Sequence, residues 1–164
     1  MTTIAYKDGI VATDSRVTNS RGKIVSDNEV KITESKNSLW ILSGANYDIE
    51  YFIKNFVSVE KPIVFEDPIE AVSGFLIHEG AMYRLFGFQN NLLFEFLLTT
   101  KDYSKNDLTL GLGSGADFAI AAMDFGRNPM QAIEYAKTRD SNTGGEIRYL
   151  LLGEKQIRTH KSDN

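Results

Sequence analysis

Apolar residues along this chain change their spacing in blocks, and the order of those blocks restricts the fold more than any single motif. The first block reads as strands. Residues 2–6 and 9–13 flank Asp8-Gly9, a turn signal, and predict a hairpin. Residues 23–25 and 30–32 are β-prone, and residues 39–43 form a short apolar run that fits a buried strand. Helical spacing follows: Ile49, Phe52, Ile53 and Phe56 stand at i, i+3, i+4, i+7. Asp67-Pro68-Ile69-Glu70 carries a cap, a first-turn proline and capping-box spacing, which predicts a second helix ending near Gly80. Strand patterns return at residues 82–88 and 92–98, joined by Gln89-Asn90-Asn91, and again at residues 108–112. A third helix is expected from Ser114, with Phe118, Ala121, Ala122 and Phe125 on one face. Asn128-Pro129 with Gln131 opens a fourth, and residues 148–152 and 156–159 close the chain as a hairpin around Gly153. Strands, two helices, strands, two helices, strands: this order predicts an α+β fold. Two antiparallel sheets between two helical layers would bury every apolar face just named.

Composition narrows the chemistry. The chain has 164 residues, enough for a single domain over 1–164 with a sizeable core, and 42% of them are hydrophobic. Its net charge is −4 with no Lys/Arg run, so the basic footprint of a nucleic-acid binder is missing. The absence of cysteine excludes disulfides, thiol catalysis and cysteine-ligated metals, and His78 and His160 are too few for a histidine-rich metal site. No apolar signal-peptide core opens the sequence and no run approaches the ~20 apolar residues of a membrane span. An intracellular, cytoplasmic protein is expected.

Candidate reactive groups are scattered. Thr2 follows an initiator methionine that a small second residue leaves open to removal, which exposes an α-amine beside a hydroxyl. Such an amine titrates near ~8 and is a suitable general base for that hydroxyl. An ordinary strand start is the plainer reading of the same residues. Lys31, steadied by a carboxylate such as Asp14, would lower a hydroxyl's pKa, although a solvated lysine is the default reading of Lys31 and Asp14 also reads as a turn residue. Gly44, between a strand and a helix, is either a permissive turn or a place where a backbone N–H approaches substrate. Gly113-Ser114-Gly115 reads as a helix cap and lacks the Walker spacing of a phosphate loop. The polar run Arg139 to Gly145 contains Asp140 and Thr143 and lies between a helix and a strand.

Taken together and in order, the segments TTIAYKDGIVATDSR, VKI, ILSGANYD, GLGSGADFAIAAMD and RDSNTGG resemble the proteasome β-subunit family, including its bacterial HslV-type peptidase branch. The likeness extends from Thr2 to about residue 152. It implies a four-layer αββα sandwich and peptide-bond hydrolysis by an N-terminal threonine, with no metal or organic cofactor. Thr2 matches the nucleophile, Asp14 the carboxylate that orients the lysine, Lys31 that lysine, and Gly44 the oxyanion glycine. Asp140, Ser114 and Thr143 match the polar set around the terminal amine, with threonine at 143 where serine is common. The stretch from Thr2 to Asp14 is a few residues shorter than the family's usual first hairpin. A start at the threonine without a leader fits the bacterial branch. The resemblance further implies peptide or unfolded-polypeptide substrates, a homo-oligomeric ring and an unfoldase ATPase partner. The alternative is a ring subunit that keeps the shape as a silent scaffold, as fold alone does not fix function.

Overall fold

The computed structural model describes residues 2–69, 72–100, 108–154 and 156–161. The chain forms two compact units, residues 1–32 with 103–164, and residues 33–102.

In the first unit, β1 (Ile4–Lys7) and β2 (Ile10–Thr13) make a hairpin whose turn residues Asp8 and Gly9 both have positive φ, 50° and 77°. That backbone matches the right-handed twist of the flanking strands, which is why Asp-Gly suits the position. A short ribbon follows, β3 (Val17–Thr18) with β4 (Ile24–Ser26). The β1–β2 hairpin is flanked by β11 (Thr109–Leu112) on one side and by β12 (Ile147–Leu151) and β13 (Arg158–His160) on the other. All pairings in this five-stranded sheet are antiparallel.

Two helices cover its alanine-rich face. Helix α2 (Ala116–Asp124) and helix α3 (Pro129–Lys137) share a core of Ala5, Ala12, Ala119, Ala122, Met123, Ala132, Ile133 and Ile147. Small side chains at the contact let helix and sheet backbones approach closely, while Met123 and Ile133 supply the larger apolar area, about 1.5–3 kcal/mol each when fully buried. The capping box expected at Asn128 is present: Asn128 Oδ1 accepts from the Gln131 N–H at 2.9 Å and Gln131 Oε1 accepts from the Asn128 N–H at 3.1 Å. Helix α2 is rotated from its expected face. Ala119, Ala122 and Met123 are buried, whereas Phe125 is 91% exposed and Ala121 faces outward. The sheet beneath α2 presents alanines, and the alanine side of the helix fits it better than the phenylalanine side.

The second unit carries a six-stranded sheet in the order β5-β6-β8-β9-β10-β7. Its strands are β5 (Ile32–Ser35), β6 (Ser38–Ser43), β7 (Ile63–Val64), β8 (Ser73–His78), β9 (Ala81–Phe88) and β10 (Leu93–Thr100). Helix α1 (Asn46–Asn55) lays Ile49, Phe52 and Ile53 onto this unit's core, and Phe56 follows at its C-cap, as the i, i+3, i+4, i+7 spacing predicts. The core is aromatic: Trp40 meets Phe56 edge-on at 4.9 Å and Phe52 at 6.0 Å. Gln89, Asn90 and Asn91 all have positive φ, which makes them the β9–β10 turn that the sequence suggests.

One expectation fails here. No helix runs from Asp67 to Gly80, and three helices rather than four occur among the described residues. Residues 73–78 form β8, paired on one side with β6 from Ser38↔His78 to Ser43↔Ser73 and on the other with β9. Glu70, the third member of the expected capping box, lies outside the described residues. Asp67 and Pro68 are local signals worth about 1 kcal/mol as a cap, and two flanking strands that satisfy the backbone of SGFLIH outweigh them. Gly74 shows how tight the pairing is, since a Cβ there would overlap the carbonyl of Ile41.

Candidate active site

The first hairpin sets the geometry. Its register pairs Ile4 with Thr13, so the next residues outward, Thr3 and Asp14, also face each other. The Asp14 N–H donates to the Thr3 carbonyl at 3.2 Å and the Thr3 N–H donates to Asp14 Oδ1 at 3.0 Å. Thr2, Thr3 and Asp14 are all buried.

Lys31 comes in from the segment just ahead of β5. Its Nζ donates to the same Asp14 Oδ1 at 2.8 Å and to the Arg16 carbonyl at 2.7 Å. Asp14 Oδ2 accepts from the Gly144 N–H at 3.1 Å. One buried carboxylate therefore gathers an ammonium, the peptide N–H that follows Thr2, and the loop after α3. Burial lowers the Lys31 pKa below the ordinary lysine value, opposed by the charge and hydrogen bond of Asp14. A lysine so placed is a compact positive charge that water does not screen.

The second carboxylate organises the other side. Asp140 follows α3, and its Oδ2 accepts from the hydroxyls of Ser114 and Thr143, each at 2.6 Å, while Oδ1 accepts from the Asn142 N–H at 3.1 Å. Burial pushes the Asp140 pKa upward, but the hydrogen bonds from Ser114, Thr143 and Asn142 prevail and hold it below the usual value. Thr143 Oγ1 lies 2.7 Å from Thr3 Oγ1, and the Gly115 N–H donates to Thr3 Oγ1 at 3.1 Å. A Cβ at Gly113, where φ is +92°, would sit on the Thr2 carbonyl, so the loop ahead of α2 presses directly on the start of the chain.

A carboxylate whose folded pKa is depressed contributes stability that is present above its unfolded pKa and lost as the pH falls through its folded value. Ser114→Ala removes one bond that holds Asp140 low and so raises that folded value. Acid unfolding of this variant, followed by circular dichroism, is expected to begin at a higher pH than in the wild type. An unchanged acid midpoint would contradict the role given to the Ser114 hydroxyl.

Six of the seven residues marked from the sequence thus lie in the first unit: Thr2, Asp14, Lys31, Ser114, Asp140 and Thr143. Hydrogen bonds link Lys31, Asp14 and Thr3 directly, and Thr3, Thr143, Asp140 and Ser114 through hydroxyls. Gly44 belongs to the second unit, where it follows β6 with φ of 153°, and takes no part in these bonds. Two further residues emerge that were not marked as candidates. Thr3 joins the two carboxylates, and its only sequence signal is its place beside Thr2. Arg16 clasps Asp27 with two bonds of 2.7 and 3.0 Å and donates to the Ser141 carbonyl at 2.8 Å, packing over Gly144. Each partner stabilises the other's charge, raising the Arg16 pKa and lowering that of Asp27. The clasp pins the loop that carries Asp140 and Thr143.

Among the described residues no group of three or more His, Cys, Asp or Glu side chains is arranged to hold a metal, and no helix is long and apolar enough to cross a membrane. Neither a protein-family profile nor a curated protein sequence matches the chain. Solved structures do. Thiobacillus denitrificans BPH aligns over 99% of both chains with a TM-score of 0.57 at 15% identity. HslV from Trypanosoma brucei, a eukaryotic HslV, aligns over 98% of this chain and all of its own with a TM-score of 0.62 at 13% identity. The chain therefore has an HslV-like fold, the proteasome β type that its motif series resembles.

Proposed function

We propose that this chain is a threonine-type peptidase subunit in which Thr2, uncovered by loss of Met1, is the nucleophile. One observation carries the reading: the N–H of the Thr2–Thr3 peptide and the ammonium of Lys31 converge on a single oxygen of buried Asp14. A planar peptide allows its two ends little independent movement, so an N–H anchored on Asp14 keeps Thr2 within a few bonds of that charge.

In this reading the Thr2 α-amine takes the hydroxyl proton, directly or through a water, as Oγ adds to the substrate carbonyl. Lys31 favours the alkoxide that develops, and Asp14 keeps the ammonium oriented. The Gly44 N–H is the oxyanion donor. Collapse of the tetrahedral species breaks the C–N bond, and the amine's proton leaves with the new N-terminus. Water then hydrolyses the Thr2 ester and restores the hydroxyl. Asp140, Ser114 and Thr143 hold the polar surroundings of the amine. Apart from water, every catalytic group in this sequence of steps is the chain's own, and the reading requires no metal or organic cofactor.

The same reading includes a single domain over 1–164 with four-layer αββα packing, assembly into a homo-oligomeric ring in the cytoplasm, work with an unfoldase ATPase ring, and unfolded polypeptide as substrate. Support comes from the HslV-like fold and from the ordered motif series. Intact-mass measurement on protein from its own host, paired with a fluorogenic peptide assay and light scattering, tests it. Loss of one methionine, hydrolysis and a ring-sized particle are expected. Full retention of Met1 in an inert ring would instead support the silent scaffold.

A further inference from the structure

Thr3 is fixed from four directions. Its N–H donates to Asp14 Oδ1, its carbonyl accepts from the Asp14 N–H, its hydroxyl accepts from the Gly115 N–H, and the same hydroxyl meets Thr143. It is 1% exposed. Counting protons gives the last contact a direction. Asp140 is an ionised carboxylate and only accepts, so the Thr143 hydrogen goes to Asp140 Oδ2. Thr143 then has only a lone pair to offer Thr3, and the hydrogen across their 2.7 Å contact belongs to Thr3. The bonds run one way, from Gly115 N–H to Thr3, to Thr143, to Asp140.

We propose that Thr3 is a positioning residue for the hydrolysis, its one-way hydroxyl chain to Asp140 and its N–H on Asp14 together locking the peptide plane that presents Thr2. This inference rests on the reading of Thr2 as nucleophile. Two contacts define the plane. The Thr3 N–H is held by Asp14 on one edge, and the Thr2 carbonyl is packed against Gly113 on the other. The Thr3 hydroxyl stops that plane from turning, because rotating it would break the bonds to Gly115 and Thr143 at once. A β-branched side chain suits the role, since its χ1 is restricted before any bond forms. Misplacement of a reacting group by about 1 Å costs roughly a hundredfold in rate, so a residue that never touches substrate has leverage on kcat.

Thr3→Val keeps the shape and removes the hydroxyl, whereas Thr3→Ser keeps the hydroxyl and removes the methyl. For peptide hydrolysis, Thr3→Val is expected to lower kcat by about ten- to a hundredfold with KM within about twofold, and Thr3→Ser to stay within about threefold of wild type. If the chain acts as a unit, Thr3→Val with Thr143→Val is expected to lose no more than the worse single variant, within about threefold. Wild-type kcat in Thr3→Val would overturn the proposal, as would losses that multiply in the double variant. Should Thr3→Val melt below the assay temperature, Thr3→Ser decides alone, and a tenfold loss at unchanged Tm removes the hydroxyl as the agent. A wild-type rate in Thr2→Ala would sink the nucleophile and this inference together. A dead Thr2→Ala beside a normal Thr3→Val would sink only the inference.

Discussion

Thr2→Ala is expected to abolish peptide hydrolysis, by at least ~10³-fold, while assembly and thermal stability stay near those of the wild type. The expectation follows from where the reaction's groups reside. On the proposed reading, residue 2 carries both the attacking hydroxyl and the amine that takes its proton once Met1 is gone, so truncating the side chain removes the proposed nucleophile but leaves the amine and the scaffold in place. The bonds from the Thr3 N–H and Lys31 Nζ to Asp14, and the contact between the Thr3 and Thr143 hydroxyls, are made by atoms that Thr2→Ala leaves in place. Thr2→Ser supplies the control, since it keeps a hydroxyl at the same position without the methyl group and should show measurable turnover. Steady-state hydrolysis of a fluorogenic peptide, alongside light scattering, checks both halves of the statement. Full activity in Thr2→Ala would place the nucleophile elsewhere.

The second large effect concerns stability as well as rate. Asp14→Ala is expected to destabilise the protein by about 3–5 kcal/mol, because it leaves a buried ammonium without its counter-charge. It also strands the N–H groups of Thr3 and Gly144, which donate to the two oxygens of Asp14. For a chain of this length that loss corresponds to a fall in Tm of roughly 6–20 °C. Lys31→Ala is likewise expected to be inactive, as it deletes the charge proposed to favour the Thr2 alkoxide. The pair distinguishes structure from chemistry. Asp14→Leu combined with Lys31→Met should be less destabilised than Asp14→Ala, since no unpaired charge remains, yet it should hydrolyse nothing. Thermal melts and peptide assays on the three variants suffice, and a near-wild-type rate in Lys31→Ala would contradict the role of the ammonium.

Much of the candidate site's geometry was legible because its residues sit in short segments with local signatures. Asp8-Gly9 specifies a tight turn, and equal arms on either side then bring residue 3 opposite residue 14 without help from distant parts of the chain. The capping box at Asn128 and the face of α1 were equally local. Where the reading failed, the deciding contacts were remote in sequence. Asp67-Pro68 promised a helix, but β6 and β9 claimed residues 73–78 as a strand between them. Helix α2 turned its alanines rather than Phe125 to the sheet, because the alanines of β1 and β2 leave room for close contact and not for a phenyl ring.

By itself the sequence determined the alternation of strand and helix blocks, the turn that opens the chain and the set of residue types able to perform threonine chemistry. Those features depend on neighbours within a few residues, where backbone preference and side-chain spacing act directly. Only the tertiary structure decided that Asp14 serves Lys31 and Thr3 with one oxygen, that Arg16 pins the Asp140 loop, and that Thr3 joins two carboxylates. Each of these joins segments far apart in the chain. Hydrogen bonds of about 3 Å between such segments exist only after packing has excluded water and fixed both partners in place.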